Sequence, residues 1–213
     1  MRNTERLRAL KSFIQENLCD GREMKAPGKN YDIREVRYTE PKCHIGWTPT
    51  RPDMDSDGSI MTACPGILIM PSQGNAYLPE TRERDRADGV RRSKQFGDTL
   101  SVSILLAVYE PGIRMPGYMD ENGVIDADLI KEGTEQGLMT LIDWMDDTVD
   151  VLMKYRSIPH TDLILNEETV IRSMYTEGGF VVDKRPVFYG FVNCEFKGHT
   201  SYAMNDVVAD LLK

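Results

Sequence analysis

The spacing of apolar residues predicts two amphipathic helices. Over residues 4–18, apolar side chains recur every three or four positions, with Thr4 as a possible cap and Gly21 just beyond the end. A longer stripe predicts the strongest helix of the chain over residues 133–155. The first stripe consists of Leu7, Leu10, Phe13, Ile14 and Leu18. The second consists of Leu138, Leu141, Ile142, Met145, Val149 and Leu152.

Compact or alternating apolar runs predict the strands. The clearest is residues 99–109, where every second side chain is apolar, and the run at 66–70 between two prolines is typical of a buried strand. Residues 186–197 carry apolar side chains on both faces near their start, as a central strand does. The remaining strand predictions are 32–39 and 161–175, and a short helix is predicted over 205–212.

The order helix, strands, long helix, strands, helix predicts an α+β fold. We expect a mostly antiparallel or mixed sheet of about four to five strands, with the N-terminal and long central helices packed on one side. A length of 213 residues fits a single domain over 1–213. Three long excursions interrupt it, at 41–65, 72–97 and 110–132, and loops of that length are usually functional.

Composition excludes some functions. A net charge of −8 argues against a non-specific nucleic-acid coat. No apolar run reaches the roughly 18 residues of a membrane span, and the first residues have no apolar segment typical of a signal peptide. The cysteines are therefore expected to be reduced and mostly buried, in a protein made in the cytosol. They are Cys19, Cys43, Cys64 and Cys194.

Candidate chemistry is sparse. Asp53, Asp55 and Asp57 followed by Gly58 resemble the start of a calcium loop, but the twelfth position is Cys64 instead of Glu. A solvated turn is the favoured interpretation, and the three aspartates stay a weak metal candidate. Cys43 and His44 are neighbours without a local signature of a nucleophilic pair. We therefore predict no enzyme activity and no cofactor.

Two charged segments are candidate surfaces. The polar side of the long helix carries four aspartates, which could form a metal-binding cluster but more simply form a solvated helix face. They are Asp143, Asp146, Asp147 and Asp150. Residues 80–94 carry six cations against four acids. The cations are Arg82, Arg84, Arg86, Arg91, Arg92 and Lys94.

Four sequence strings, taken in order, suggest a family. They are CPGILIMP at 64–71, TLSVSILLAVYE at 99–110, LMTLIDWM at 138–145 and RPVFYGFVNCEF at 185–196. The order resembles the tail terminator, or tail completion, proteins of tailed phages and prophages, in which a strand and long loop precede a strand, a helix and a late aromatic strand. The likeness covers about 45–198 and consists of fold-defining patterns.

The resemblance implies a structural virion protein. Such subunits form a homohexameric ring on the last ring of the tail tube, stop tube growth and join the tail to the neck of the filled head. The partners implied are the tube protein, a neck or head-completion protein and, in a contractile tail, the sheath. Genomic DNA would only pass through, no membrane is involved, and the location would be the virion, assembled in the host bacterial cytoplasm.

The candidate surfaces acquire roles under this resemblance. The four aspartates of the long helix would line the channel, where they repel DNA, or face outward. The six cations of 80–94 would contact a neighbouring subunit or the tube, since charge pairs fix the register of partners. Two alternatives stay open: a head-closure or head–tail joining protein, and a small metal-dependent hydrolase using Asp53, Asp55 and Asp57.

Overall fold

A computed structural model of the chain describes residues 3–28, 36–46, 64–71, 77–78, 96–114, 120, 130–131, 133–173, 175–176, 179–180 and 186–200. The helices in these ranges are α1 (Asn3–Ile14), which continues into a π-helical turn (Gln15–Cys19), and α2 (Thr134–Tyr155). The first six strands are β1 (Met24–Pro27), β2 (Val36–Thr39), β3 (Lys42–Ile45), β4 (Gly66–Pro71), β5 (Tyr77–Leu78) and β6 (Phe96–Tyr109). The others are β7 (Ile113–Arg114), β8 (Ile130–Lys131), β9 (Leu163–Ser173), β10 (Tyr175–Thr176), β11 (Gly179–Phe180) and β12 (Val187–Thr200).

One mixed sheet organises the described part of the chain. Its strand order is β3-β4-β6-β12-β9, with the short β5 also pairing with β6. Strand β3 runs parallel to β4, and the other pairs are antiparallel. Strand β12 pairs with β6 from Val187 to Thr200 and has β9 on its other side, so it is the predicted central strand. The predicted α+β fold with a mixed sheet of about five strands is confirmed.

Three two-stranded ribbons accompany this sheet in the described ranges: β1–β2, β7–β8 and β10–β11. The β7–β8 ribbon pairs Ile113 with Lys131 and Arg114 with Ile130. The first and last residues of the excursion 110–132 are therefore adjacent in space. The β10–β11 ribbon joins the predicted strands 161–175 and 186–197.

The main core lies between the sheet and the two helices. The predicted inward positions of β6, from Leu100 to Val108, are all buried there. The stripe of α2 is confirmed at Leu141, Met145 and Leu152, but Leu138 is 40% exposed, so its prediction as a core residue is wrong.

The reason for that error is a close approach at Gly137. A Cβ placed there would overlap the ring of Phe188, so α2 contacts β12 through bare backbone at this level. The contacting stripe therefore runs through Gly137, Leu141, Trp144 and Thr148, at helical spacing. Trp144 and Thr148 are fully buried.

The opposite face of the sheet divides into an apolar and a polar half. Its apolar half is buried and includes Leu68, Leu105, Ala107, Tyr109 and Val187. In its polar half, Ser101 Oγ donates to Glu195 Oε1 at 3.0 Å and Ser103 Oγ donates to Asn193 Oδ1 at 2.6 Å. Both described helices lie on the other side of the sheet.

Three local predictions need correction or lie outside the described residues. The excursion 41–65, expected to consist of turns, contains β3, whose Lys-Cys-His-Ile alternation is short and stands between prolines. The excursion 72–97 contains β5 and the start of β6. Of the predicted strand 32–39 only β2 is described, and the predicted helix 205–212 lies outside the described residues.

Candidate assembly surfaces

Among the described residues, two of the four aspartates on the acidic face of α2 form ion pairs and two do not. Asp146 forms an ion pair with Arg172 of β9, and Asp147 forms one with Arg22, which follows the π-helical turn. Asp143 and Asp150 lie between these flanks and are exposed. The prediction of a solvated acidic face therefore fits Asp143 and Asp150, whereas the other two aspartates tie α2 to its neighbours.

Arg22 also contacts the core. Its Cζ lies 5.8 Å from the ring centroid of Trp144, a cation–π distance. The Trp144 indole Nε1 donates to the carbonyl oxygen of Leu18 at 3.3 Å. The centre of α2 is thus held against the end of the first helical segment by an indole that has its hydrogen-bond partner.

A buried ion pair joins α1 to the start of β9. Arg6 is fully buried, and its Nε donates to Asp162 Oδ1 at 2.8 Å while Nη2 donates to Oδ2. Nη1 donates to Asn3 Oδ1 at 3.0 Å. Gly198 of β12 leaves room for the guanidinium, because a Cβ there would lie 2.5 Å from Nη2.

Sequence reasoning missed this cluster, although a signal was present. Arg6 precedes Leu10 and Ile14 at intervals of four, which places it on the buried face of α1. A cation in an apolar stripe needs a buried partner. Nothing in the sequence marks Asp162 as that partner, because 156 residues separate the two.

A second buried charge, the carboxylate of Glu110, lies where the excursion 110–132 leaves the sheet. Glu110 is 7% exposed, and both of its carboxylate oxygens accept from Lys25 Nζ at 2.7 Å. The backbone N–H of Gly112 donates to Glu110 Oε1 at 3.3 Å. A Cβ on Gly133, which precedes α2, would lie 2.6 Å from Glu110 Cγ. The Glu110 side chain thus binds Lys25 of β1 and Gly112 through its carboxylate and lies close to Gly133 through its Cγ.

The cysteines are structural. All four are buried and free, which confirms the predicted buried, unpaired thiols. Burial raises the pKa of Cys19, Cys43 and Cys194 to about 12, with neighbouring acidic groups adding to the effect, and burial also raises the pKa of Cys64. The thiols therefore stay protonated and unreactive at neutral pH.

Cys43 and His44 point to opposite faces of the sheet. Cys43 pairs in register with Ile67 in the core beneath the helices, whereas His44 pairs with Leu68 on the other face. Burial, helped by the charges of Lys11 and Lys42, lowers the pKa of His44. The two neighbours do not form a nucleophile–base pair.

The two edges of the sheet differ. At the β3 edge, Gln15 Oε1 accepts from the Cys43 N–H at 2.8 Å and its Nε2 donates to the Pro41 carbonyl at 3.4 Å, so one amide takes the place of a neighbouring strand. At the β9 edge, the segment 156–158 covers the start of the strand: Leu165 N donates to Arg156 O at 2.6 Å and Ile158 N donates to Leu163 O at 3.1 Å.

Strand β9 then bulges. Its register with β12 shifts between Asn166 and Ile171, and Glu195 N donates to the Thr169 hydroxyl at 2.9 Å instead of to a ladder carbonyl. Beyond the bulge the pairing with β12 resumes at Ile171, whose side chain is 59% exposed.

The other predicted surfaces lie outside the described residues. These are the aspartates Asp53, Asp55 and Asp57 and the cations Arg82, Arg84, Arg86, Arg91, Arg92 and Lys94. Within the described ranges, no three His, Cys, Asp or Glu side chains are grouped as a metal site. None of the helices described here is long and apolar enough to cross a membrane.

A scan against protein-family models gives no match, and a search of the curated proteins finds no significant similarity.

Proposed function

We propose that this chain is a structural subunit of a phage tail terminator, which forms a ring at the head-proximal end of the tail tube. The observation that carries the proposal is the order and pairing of the elements. A buried strand (β4), a long excursion, a long strand (β6), an amphipathic helix (α2) and a late aromatic strand (β12) follow one another in the order that the resemblance requires. The three strands are neighbours in one sheet, with α2 packed on it.

The surface of α2 supports the proposal in a second way. Asp143 and Asp150 lie exposed between two ion-paired flanks, so the helix presents negative charge while its position on the sheet is held by arginines. In a ring, this charge would be repeated around the symmetry axis. A channel so lined repels DNA, which lets the genome pass without being bound.

Electron microscopy of the purified protein tests the proposal. We expect rings with a central hole, and native mass spectrometry should give six subunits. A protein that stays monomeric at high concentration and is absent from phage particles would exclude it. Immunogold labelling of particles then separates a terminator from a head-closure or joining protein: the label lies on the last tube ring for the first and at the portal side of the neck for the second.

The enzyme alternative has its own test. A hydrolase that uses Asp53, Asp55 and Asp57 must bind a divalent cation at that segment. Calorimetric titration with calcium, magnesium and manganese should give no heat if the chain is structural, and binding that is lost in Asp55→Asn would favour the hydrolase.

A further inference from the structure

We propose that residues 47–63 cross the face of the sheet opposite α1 and α2 and form the layer that buries its apolar half. The occupant of this face is thus the chain's own connection from β3 to β4, so the assignment holds whether or not the protein forms a ring. The apolar half is then internal core and not a contact between subunits.

The apolar half of this face is buried by something other than the two helices. Leu68 is 3% exposed, Leu105 6% and Tyr109 1%. The described members of this cluster come from β4, β6 and β12 of the sheet itself and from Cys64, and both described helices lie on the other side. Side chains on one face of a sheet are buried when a second layer packs on them. A further segment of the chain must therefore lie on this face.

The direction of the β3–β4 connection selects the face. Strand β6 leads through α2 to the parallel strand β9, and β3 leads through residues 47–63 to the parallel strand β4. Both connections move across the sheet from the β3 edge towards the β9 edge, but β3 and β4 run opposite to β6 and β9. Connections between parallel strands of one sheet are almost always right-handed. With α2 on one face, a right-handed β3–β4 connection therefore lies on the other.

The other two routes from β3 to β4 are occupied. On the helix side, Cys43 of β3 and Ile69 of β4 are buried in the core that α1 and the π-helical turn share with the sheet. Around the outer edge of β3, the side-chain amide of Gln15 binds the backbone of Pro41 and Cys43. The face opposite the helices is the route that these contacts leave open.

The described end of the connection lies on the expected side. Cys64 comes directly before Pro65 and β4, is 6% exposed, and belongs to the apolar cluster of the face opposite the helices. The chain thus enters β4 from the face that needs a cover. The connection also contains large apolar residues that can supply this cover: Trp47, Met54, Ile60 and Met61.

Topology does not require the other excursions to cross this face. Strands β4 and β6 are antiparallel neighbours, so their connection can stay at one end of the sheet. The excursion 110–132 returns to its starting point, because Gly133 lies against Gly112. The chain after Thr200 leaves β12 beside the start of β6, whereas the apolar half lies at the other end of these strands, around Val187. The β3–β4 connection is therefore assigned to the apolar half.

Protection of engineered thiols tests the assignment. Leu68→Cys and Ile69→Cys each place one new thiol on β4, on opposite faces, in the full chain and in a variant whose residues 48–62 are replaced by a Gly-Ser linker of equal length. We expect Leu68→Cys to be alkylated by iodoacetamide about tenfold faster or more in the linker variant, because its protection depends on the layer that the linker removes. Ile69→Cys, the matched control beneath the helices, should stay protected in both. Peptide mass spectrometry separates the new thiols from the native ones.

The alternatives give different results in the same experiment. Equal protection of Leu68→Cys in both backgrounds would mean that another segment or a second copy covers the face, and it would overturn the assignment; a protection that is lost on dilution identifies the second copy. Rapid alkylation of Leu68→Cys in the full chain would mean that the face is open, which overturns the assignment as well.

Photocrosslinking in the full chain does not depend on the linker variant being folded. p-Benzoylphenylalanine in place of Tyr189, which packs against the apolar half, should crosslink on irradiation to residues 47–63 of the same chain. The matched control replaces Tyr155, which ends α2 and packs on Phe13 on the helix side, and should give no crosslink to that segment. Mass spectrometry maps the products. Crosslinks from position 189 that omit 47–63 would overturn the assignment.

Discussion

Two kinds of ion pair tie the helices to the rest of the molecule. The Arg6–Asp162 pair is buried, with the arginine fully enclosed and only 20% of the aspartate exposed. The Arg172–Asp146 pair on α2 is about half exposed at both ends. Both join a helix to β9 or the residues before it, and both use the same chemical groups.

The difference in burial decides what each pair does. A buried charge that loses its partner keeps the full cost of having left water, so breaking such a pair is expensive. When an exposed pair is broken, water hydrates both charged groups, so the cost is small. Salt screens the attraction between the two charges and reduces the cost further. The pattern of charges in the sequence does not show which of the two pairs is buried, because burial depends on the residues that pack around each pair.

The largest effect is expected from Asp162→Asn. This change replaces the carboxylate beside the buried Arg6 charge by a neutral amide, and it should lower the free energy of unfolding by about 3–5 kcal/mol. Urea denaturation followed by circular dichroism measures it. The matched control replaces the whole pair, as Arg6→Met with Asp162→Leu, and should cost much less than the single change. A single variant as stable as the wild type would mean that Arg6 is solvated.

Acid should remove the same contribution gradually. Burial raises the pKa of Asp162, but the hydrogen bond and charge of Arg6 outweigh this and hold it below its ordinary value of 3.8. The ion pair therefore contributes fully above that value, and its contribution is lost as the pH falls through the lower pKa of the folded protein. The stability difference between wild type and Asp162→Asn should be constant at neutral pH and narrow in acid, below about pH 4. A constant difference into strong acid would contradict the depressed pKa.

Gly198→Ala should destabilise the buried ion pair by adding a methyl group on β12, next to the Arg6 guanidinium. The new methyl group would lie 2.5 Å from Arg6 Nη2, whose guanidinium is buried and donates to Asp162 and Asn3. We expect a loss of about 1–3 kcal/mol, as for overpacking elsewhere in protein cores. The double variant with Arg6→Ala tests the cause, because the cost of the methyl group should shrink once the guanidinium is gone. Equal costs in both backgrounds would place the strain elsewhere.

Much of the fold could be predicted from periodicity alone. The alternation in 99–109 gave β6 and its buried face, and the stripe in 133–155 gave α2, because both elements bury one continuous face. Leu138 was misplaced because the stripe cannot show that α2 touches β12 through Gly137. Strand β3 was missed because four residues between prolines carry too short a pattern, and its edge is completed by a side chain, Gln15, from another element.

The candidate surfaces were less predictable for a related reason. The four aspartates of α2 are equivalent in the sequence, yet within the described part of the chain only Asp147 and Asp146 form ion pairs, with Arg22 and Arg172. These arginines are far from α2 along the chain, so only the fold brings the charges together.

The smallest effect is expected from the exposed pair on α2. Asp146→Asn removes the partner of Arg172, but both groups stay accessible to water, so the loss should be about 0.2–1 kcal/mol and should vanish in high salt. Denaturation of this variant and of Asp143→Asn, which has no arginine partner among the described residues, at low and high ionic strength measures the pair itself. Asp143→Asn should leave stability unchanged or raise it slightly by relieving repulsion between aspartates on one face. If Asp146→Asn costs as much as Asp162→Asn, burial is not what separates the two kinds of pair.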